Sequence, residues 1–441
     1  MNGTILHPRL LLFLVVTAST LIWSVYQPMF AYEKYVSLHG FAHFLFFYLV
    51  IFGCCFLTEK IGLARPRPAP LERFRRRCGS GDTLRREALA LALVAGAAQT
   101  LWLARIVLRA GGLGPLQDML WARHDFLAFK HQLVNVTGIS GVTTLTQLGM
   151  IASAIYAVYV FGLRKPGNGL MWALILYPGV LRGLFFSERI ALLELTIPIV
   201  AMAIVFGRIK VTLPRIVLSV LAFALFFSAA ESVRSYPYYA QNGYSREGAY
   251  AYGIGRLFDY ISSSVNHSMA MPDLSGRTVG FPALLFNGWI NLLTDVVPGA
   301  DVRSFLRMDE SAQAYANIKN SPYSAADYTN LGFFGEIFAD SGRMYVLYAL
   351  LYGWFIGMAY KGIRQFEVGW LAIYPAVLLS LLESYRITYL FDTRMFYPLL
   401  YIAIRYGFHS LKPSAAASAE ADMPSRARCG TASPQGSEGS A

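Results

Sequence analysis

The sequence predicts an all-α, polytopic membrane protein with about ten transmembrane helices, and three observations carry that expectation. Apolar runs of roughly 18 residues or more recur along the chain, which is bilayer length rather than core-helix length. Only 15% of residues are charged against 55% hydrophobic, so charge can be confined to the segments between runs, and it largely is. The strict apolar–polar alternation of a transmembrane β-barrel is missing from these runs.

In order, the runs cover residues 10–30, 41–57, 88–108, 139–163, 170–186, 190–206, 216–230, 344–360, 368–382 and 395–408. The first follows Arg9 with no clean small-residue cleavage site after it, so it is expected to stay as a span. The segment 59–87 holds Lys60, Arg65, Arg67, Arg73, Arg75, Arg76, Arg77, Arg85 and Arg86, and should be cytoplasmic. Alternation from there puts Arg164–Lys165, Arg208, Lys210, Arg215, Lys361, Arg364 and the tail's Lys412, Arg426 and Arg428 on the same side. The expected topology is an even number of spans with both termini cytoplasmic. Residues 1–408 read as one integral membrane domain. Residues 409–441, rich in Ala, Ser, Pro and Gly, read as a disordered cytoplasmic tail. The net charge of +12 therefore belongs beside the membrane and does not point to nucleic acid. Of the four cysteines, Cys54 and Cys55 lie in a run, Cys78 in the basic segment and Cys429 in the tail, which is no disulfide framework.

The opposite side then receives a medium loop at 110–138, a large segment at about 231–343, and the tip of the hairpin between the fifth and sixth runs. The large segment is rich in Tyr, Asn, Gly and Asp and contains helix-like pieces such as Gly255-Arg-Leu-Phe-Asp-Tyr-Ile261. Long ordered connections on a rigid scaffold are where function concentrates.

Arginine is unexpectedly dense at these outer run ends. Arg105 and Arg109 share one helix face, Arg182 closes the fifth run, and Glu188-Arg189 open the sixth. The seventh ends Glu231-Ser-Val-Arg234, the ninth Glu383-Ser-Tyr-Arg386, and Arg394 precedes the tenth. A charge at mid-bilayer costs roughly 2.5–3.5 kcal/mol on the insertion scale, so these groups need a polar destination. Glu231 with Arg234 and Glu383 with Arg386 have the i,i+3 spacing of local ion pairs. Arg105, Arg109 and Arg182 have no acid at such spacing, which leaves room for a shared anion. A guanidinium fork suits phosphate oxygens, so a pyrophosphate at the outer leaflet would match the charge and the depth. Glu194, below the hairpin tip, either pairs inside the bundle with Arg182 or another arginine, or lines a cavity.

Acid–base candidates in the large segment are Asp259, His267, Glu336 and Asp340. His267 sits in a polar Ser-Ser-Ser-Val-Asn-His stretch, and histidine shuttles protons near neutral pH. His39 and His43 have i,i+4 ligand spacing, but no third ligand lies near them in sequence, so a metal site is not expected. Tyr236, Tyr238, Tyr239, Tyr244, Tyr250, Tyr252, Tyr260, Tyr315, Tyr323 and Tyr328 crowd the same region. Some belong to an interfacial belt; the others, beside Asn, Asp and Arg, could cover sugar rings and bond their hydroxyls. P-loop, dinucleotide-binding, nucleophile-elbow and zinc motifs are lacking.

Four stretches together carry a resemblance. They are Phe185-Phe-Ser-Glu-Arg-Ile-Ala-Leu-Leu-Glu-Leu195, Glu231-Ser-Val-Arg-Ser-Tyr-Pro-Tyr-Tyr239, Arg256-Leu-Phe-Asp-Tyr-Ile-Ser-Ser-Ser-Val-Asn266 and Asn330-Leu-Gly-Phe-Phe-Gly-Glu-Ile-Phe-Ala-Asp-Ser-Gly342. With the topology, they resemble the O-antigen polymerase, or oligosaccharide repeat-unit polymerase, family of bacterial inner membranes. The resemblance spans the fifth to tenth runs and is weak in the first third. It implies a GT-C-like fold with a large periplasmic loop and no metal, nucleotide or other cofactor. The implied activity moves a growing glycan from undecaprenyl pyrophosphate onto the next lipid-linked repeat unit, in O-antigen, capsule or exopolysaccharide synthesis. The implied partners are that lipid-linked oligosaccharide, the bilayer, a chain-length regulator and a flippase, and no nucleic acid. By the same resemblance, Arg182, Arg189, Arg234 and Arg256 hold the pyrophosphate. Glu188, His267 and Glu336 are the catalytic acid–base candidates, and Tyr238, Tyr239, Asp259, Asn266 and Asn330 the sugar-binding ones. One departure is Arg343, where an apolar residue would better start a span. Two other readings stay open: a glycan ligase using the same arginines with a different acceptor, and a flippase or transporter of lipid-linked sugars, which would favour charges along the middle of many spans.

Overall fold

In a computed structural model of the chain, the described residues are 6–28, 32–61, 70–118, 132–133, 136–139, 141–185, 189–241, 248–276, 280, 283–286, 290, 308–324, 330–391 and 393–407. Among them the regular elements are all helical, with no β-strand. The main ones are α1 Pro8–Val25, α2 Leu38–Lys60, α3 Pro70–Cys78, α4 Asp82–Arg109, α5 Val142–Gly162, α6 Gly169–Phe185, α7 Arg189–Val205 and α8 Leu213–Gln241. After these come α9 Gly248–Leu274, α10 Met308–Lys319, α11 Gly332–Ser341, α12 Tyr345–Arg364, α13 Val368–Leu382 and α14 Phe396–Ile402. Five of them, α1, α2, α4, α5 and α12, are long and apolar enough to cross a membrane, while α6, α7, the Pro214–Ala229 part of α8 and α13 are shorter apolar helices.

Local chemistry sets the starts. Pro8 opens α1, where its missing N–H costs nothing. Ser37 caps α2 by accepting from the Gly40 N–H. α13 has no polar face, and Leu371–Leu381 is buried throughout, so it forms the centre of the bundle. By contrast α2 points Leu45, Phe46, Leu49, Phe52 and Phe56 outward, as a lipid-facing helix would. α2 and α12 run parallel in tight contact. A Cβ on Gly353 would stand 2.6 Å from the Ile51 carbonyl, and one on Gly357 2.7 Å from Thr58 Cβ. This is the small-xxx-small device that lets two helices approach closely.

The basic helix ends converge. The Phe74, Phe206 and Phe366 rings lie 5.5–6.3 Å apart. Arg75 Nε donates to the Gly162 carbonyl at 3.0 Å, and Arg208 Nη2 to the Phe161 carbonyl at 3.3 Å. Residues from α3, the end of α5 and the segments just past α7 and α12 thus meet at one end of the bundle.

The segment 231–343 is not a loop in its described part. α8 runs on past Ala230 to Gln241, and α9, α10 and α11 follow. Hydropathy marks where an apolar stretch stops, not where a helix stops, which is why the seventh run read eleven residues short. Gly342, at φ 55, ends α11, and Arg343 sits exposed in the turn before α12. The loop at 110–138 and the tail at 409–441 lie mostly or wholly outside the described residues.

The crossing of α9, α11 and the exit of α13 is set by Gly332. Its φ is +75, and a Cβ there would meet Ser268 Oγ at 2.3 Å, the Ser264 carbonyl at 2.7 Å and the Tyr385 carbonyl at 3.1 Å. Gly332→Ala should cost at least about 2 kcal/mol from overpacking and a left-handed backbone together. Thermal unfolding of the detergent-purified protein measures this; an unchanged midpoint would contradict it.

Candidate functional site

The site is built around α9, a polar helix whose two faces do different work. One face carries Asp259, Ser262, Asn266 and Asp273, and it binds the chain at 23–39. Tyr32 donates to Ser262 Oγ at 2.9 Å. Asn266 Oδ1 accepts from Trp23 Nε1 at 3.1 Å and the Tyr35 N–H at 2.7 Å, and Nδ2 donates to the carbonyls of Glu33 at 3.0 Å and Tyr323 at 2.9 Å. The carboxamide thus uses both lone pairs and both N–H groups. Asp273 accepts from Tyr35 at 2.6 Å and Ser37 at 2.8 Å. Burial pushes its carboxyl up, but the Tyr35, Ser37 and His39 hydrogen bonds outweigh that and hold it below the ordinary aspartate value.

The other face carries Arg256, Tyr260, Ser264, His267 and Ser268, spaced three or four apart. It meets the start of α11 and the chain leaving α13. Ser268 Oγ donates to the Leu331 carbonyl at 2.8 Å and accepts from the Gly335 N–H at 3.3 Å. The Arg256 guanidinium lies 5.8 Å from the Tyr260 ring centre. Glu336 Oε2 accepts from the Thr388 N–H at 2.7 Å and hydroxyl at 2.5 Å. Arg386 Nε stands 3.0 Å from Glu383 Oε2, and Arg386 also feels Tyr385, Tyr260 and Glu336. Arg256, Tyr260, Glu336, Tyr385 and Arg386 are half-buried, so this is a charged cluster that a ligand can reach. Two guanidinium groups beside two carboxylates can hold an anion and move a proton in one place.

Next to it, and buried, Arg182 Nη1 pairs with Glu194 Oε2 at 2.9 Å. Tyr389 donates to Glu194 Oε1 at 2.9 Å. Arg182 closes α6 and Glu194 lies in the second turn of α7, so the pair clamps that hairpin shut.

These placements sort the sequence expectations. Of the pyrophosphate candidates, Arg256 is in the reachable cluster. Arg182 is 4% exposed and committed to Glu194, which corrects its reading as a free anion ligand: an apolar bundle cannot leave Glu194 uncompensated. Arg189 starts α7 and Arg234 lies within α8, with their side chains outside the described ones. Of the acid–base candidates, Glu336 is in the cluster and Glu188 lies outside the described residues. His267 is 1% exposed, its Nδ1 donating to the Asn330 carbonyl at 2.8 Å. Of the sugar candidates, Asn266 is corrected: fully buried and fully hydrogen-bonded, it joins three segments and has nothing left for a sugar. Asp259 is fully buried too, whereas Asn330 is half-buried and offers its carbonyl to His267. Tyr238 and Tyr239 lie in α8, their side chains outside the described ones. The pairing of Glu383 with Arg386 follows the i,i+3 spacing. Among the described residues no group of three or more His, Cys, Asp or Glu could hold a metal ion.

Sequence reasoning missed Thr388 and Tyr389, which tie the chain leaving α13 to Glu336 and Glu194. The one signal was their place just after Glu383-Ser-Tyr-Arg386, polar residues in a short break between apolar runs.

Compared with protein-family models, with curated proteins and with solved structures, the chain matches none.

Arg182→Ala should destabilise the protein by about 3–5 kcal/mol by leaving a buried carboxylate unpaired. Arg182→Met with Glu194→Gln keeps an acceptor for Tyr389 and should recover most of that loss. Melting of the single and double variants decides it: a fully stable Arg182→Ala protein would show that the arginine is not the carboxylate's partner.

His267 stands below its ordinary 6.5 because burial disfavours the imidazolium, with the Asn330 and Tyr323 carbonyls pushing the other way. The unfolded chain therefore takes up a proton that the folded chain refuses. Stability is unaffected well above 6.5 and falls as pH drops from there toward the folded value. Between about pH 7.5 and 5.5, the wild-type melting temperature should fall more steeply than that of His267→Gln; equal slopes would remove His267 from the acid response.

Proposed function

We propose that the protein is an inner-membrane glycosyltransferase of the repeat-unit polymerase kind, transferring a glycan from a polyprenyl pyrophosphate to the next lipid-linked repeat unit. The observation that carries this reading is the cluster of Arg256, Glu336, Glu383 and Arg386. It lies at the end of α13 away from Phe366, and so away from the basic helix ends. With the basic ends facing the cytoplasm by the positive-inside rule, the cluster faces the periplasm. The five long helices, the shorter apolar ones and the last run together make about ten crossings, with both termini cytoplasmic. A GT-C-like organisation is part of the same reading.

In this reading Arg256 and Arg386 neutralise the departing pyrophosphate, with Arg189 and Arg234 as further donors. The acceptor hydroxyl attacks the anomeric carbon of the donor glycan, the bond from that carbon to the pyrophosphate oxygen breaks, and Glu336 takes the hydroxyl proton. Thr388 holds one oxygen of Glu336 and leaves the carboxylate pointed from a fixed position. Tyr260 offers an aromatic face beside the arginines for a sugar ring.

Purified protein given a lipid-linked repeat unit and no other enzyme should produce a ladder of lipid-linked polymers. Glu336→Gln and Arg386→Ala should each slow it by about 10²–10³-fold at normal protein yield, the loss typical of one transition-state contact. A wild-type ladder from both variants would discard the site. Absence of any ladder from the wild type, with transfer to a lipid A core acceptor instead, would replace polymerase by ligase.

A further inference from the structure

A second constellation lies at the start of α2, on the Asp273 face of α9 and apart from the arginine cluster. His39 and His43 point their rings at each other, with Nε2 to Nε2 at 3.1 Å. Both Nδ1 atoms are taken. His39 Nδ1 is 2.5 Å from Asp273 Oδ1, and His43 Nδ1 is 2.7 Å from the Tyr345 hydroxyl. The carboxylate accepts, so His39 keeps its proton on Nδ1 and presents a bare lone pair at Nε2. The Tyr345 hydroxyl can donate to His43 Nδ1 or accept from it, so His43 can present either an N–H or a lone pair at Nε2. The His39 side chain is 58% exposed, so the pair is open to solvent.

We propose that His39 and His43 chelate a divalent transition-metal ion through their Nε2 atoms. Two imidazole nitrogens each about 2.0–2.1 Å from one ion stand roughly 2.8–3.0 Å apart at octahedral and roughly 3.3–3.4 Å apart at tetrahedral angles, and the observed separation lies between the two. The i,i+4 spacing on a helix fixes it without strain. Each ring is held through its far nitrogen: His39 by the Asp273 carboxylate, the arrangement that fixes a ligand histidine's tautomer, and His43 by the Tyr345 hydroxyl. Binding needs no net loss of a proton from the neutral pair: the His43 proton moves from Nε2 to Nδ1 as Tyr345 turns to accept it. An all-nitrogen donor pair suits zinc, nickel or copper rather than magnesium or calcium. With two protein ligands, the remaining positions go to water or to an oxygen ligand. The ion would fasten α2 to α9 through Asp273 and to α12 through Tyr345. This site is independent of the proposed glycosyl transfer.

The test uses the full chain, purified with no histidine tag and stripped with chelator, titrated calorimetrically with zinc and with nickel. Saturable binding of one ion per chain is expected. Asp273→Asn should weaken it by roughly 10–100-fold, and His39→Gln and His43→Gln by more. Zinc should raise the wild-type melting temperature and leave that of the double histidine variant unmoved. Superimposable isotherms for the wild type and His39→Gln, or no saturable binding by the wild type, would overturn the proposal. Should His43→Gln fail to fold, the exposed His39→Gln decides it alone.

Discussion

A polar helix buried among apolar ones must find every hydrogen bond inside the protein, and α9 shows how that requirement shapes the rest. Ser262, Ser263, Ser264, Asn266, His267 and Ser268 are all nearly or fully buried. The Asn266 amide alone makes four hydrogen bonds, one to Trp23 of α1, two to Glu33 and Tyr35 in the chain between α1 and α2, and one to Tyr323 beyond α10, and so lays those segments against α9. Each left unmade would cost the full desolvation of a buried polar group, about 1–3 kcal/mol. The opposite face of α9 does the same for the start of α11 through Ser268. With both faces committed, Tyr260, beside Arg256, is left within reach of Arg386 in the chain leaving α13.

The apolar helices were legible because a bilayer would impose a length and a hydropathy that few other constraints mimic, and five of them reach that length. The apolar runs fall on α1, α2 and α4–α8, then on α12–α14, within a few residues at most ends. What hydropathy could not show was the helical character of the described part of 231–343. A helix outside the hydrocarbon keeps its own backbone bonds and needs no apolar stripe all round, so its sequence looks like polar linker. The Gly353 and Gly357 contact was equally invisible, since small residues reveal an interface only once the partner helix is known.

At the site, local spacing was informative and long-range pairing was not. The i,i+3 rule found Glu383 with Arg386, and the hairpin suggested Arg182 with Glu194 as one of two readings. Asn266 was read as a sugar ligand because polar residues in a tyrosine-rich segment look exposed. Its actual partners lie more than two hundred residues away in sequence or beyond α9, so no window could have shown them. Thr388 was missed for the same reason: its acceptor, Glu336, is fifty-two residues upstream. His267 was read as a proton shuttle in a polar stretch, and burial instead disfavours its charged form.

The buried Arg182–Glu194 pair is an uneconomical way to stabilise a membrane bundle, since apolar residues of similar volume often do as well or better. Its use here is positional. Glu194 divides its two oxygens between Arg182 on α6 and Tyr389 beyond α13. Thr388, the preceding residue, is held by Glu336 on α11. Adjacent residues are thus fastened to carboxylates on two different helices, and Tyr48 of α2 adds a third hold by donating to the Ser384 carbonyl. Arg386 lies between these anchors, so its guanidinium is aimed by backbone that is fixed on both sides. A lysine–glutamate cluster on a free loop could supply the same charges. It could not supply them in a fixed position beside Glu336, and positioned charge, more than charge itself, is what stabilises a transition state.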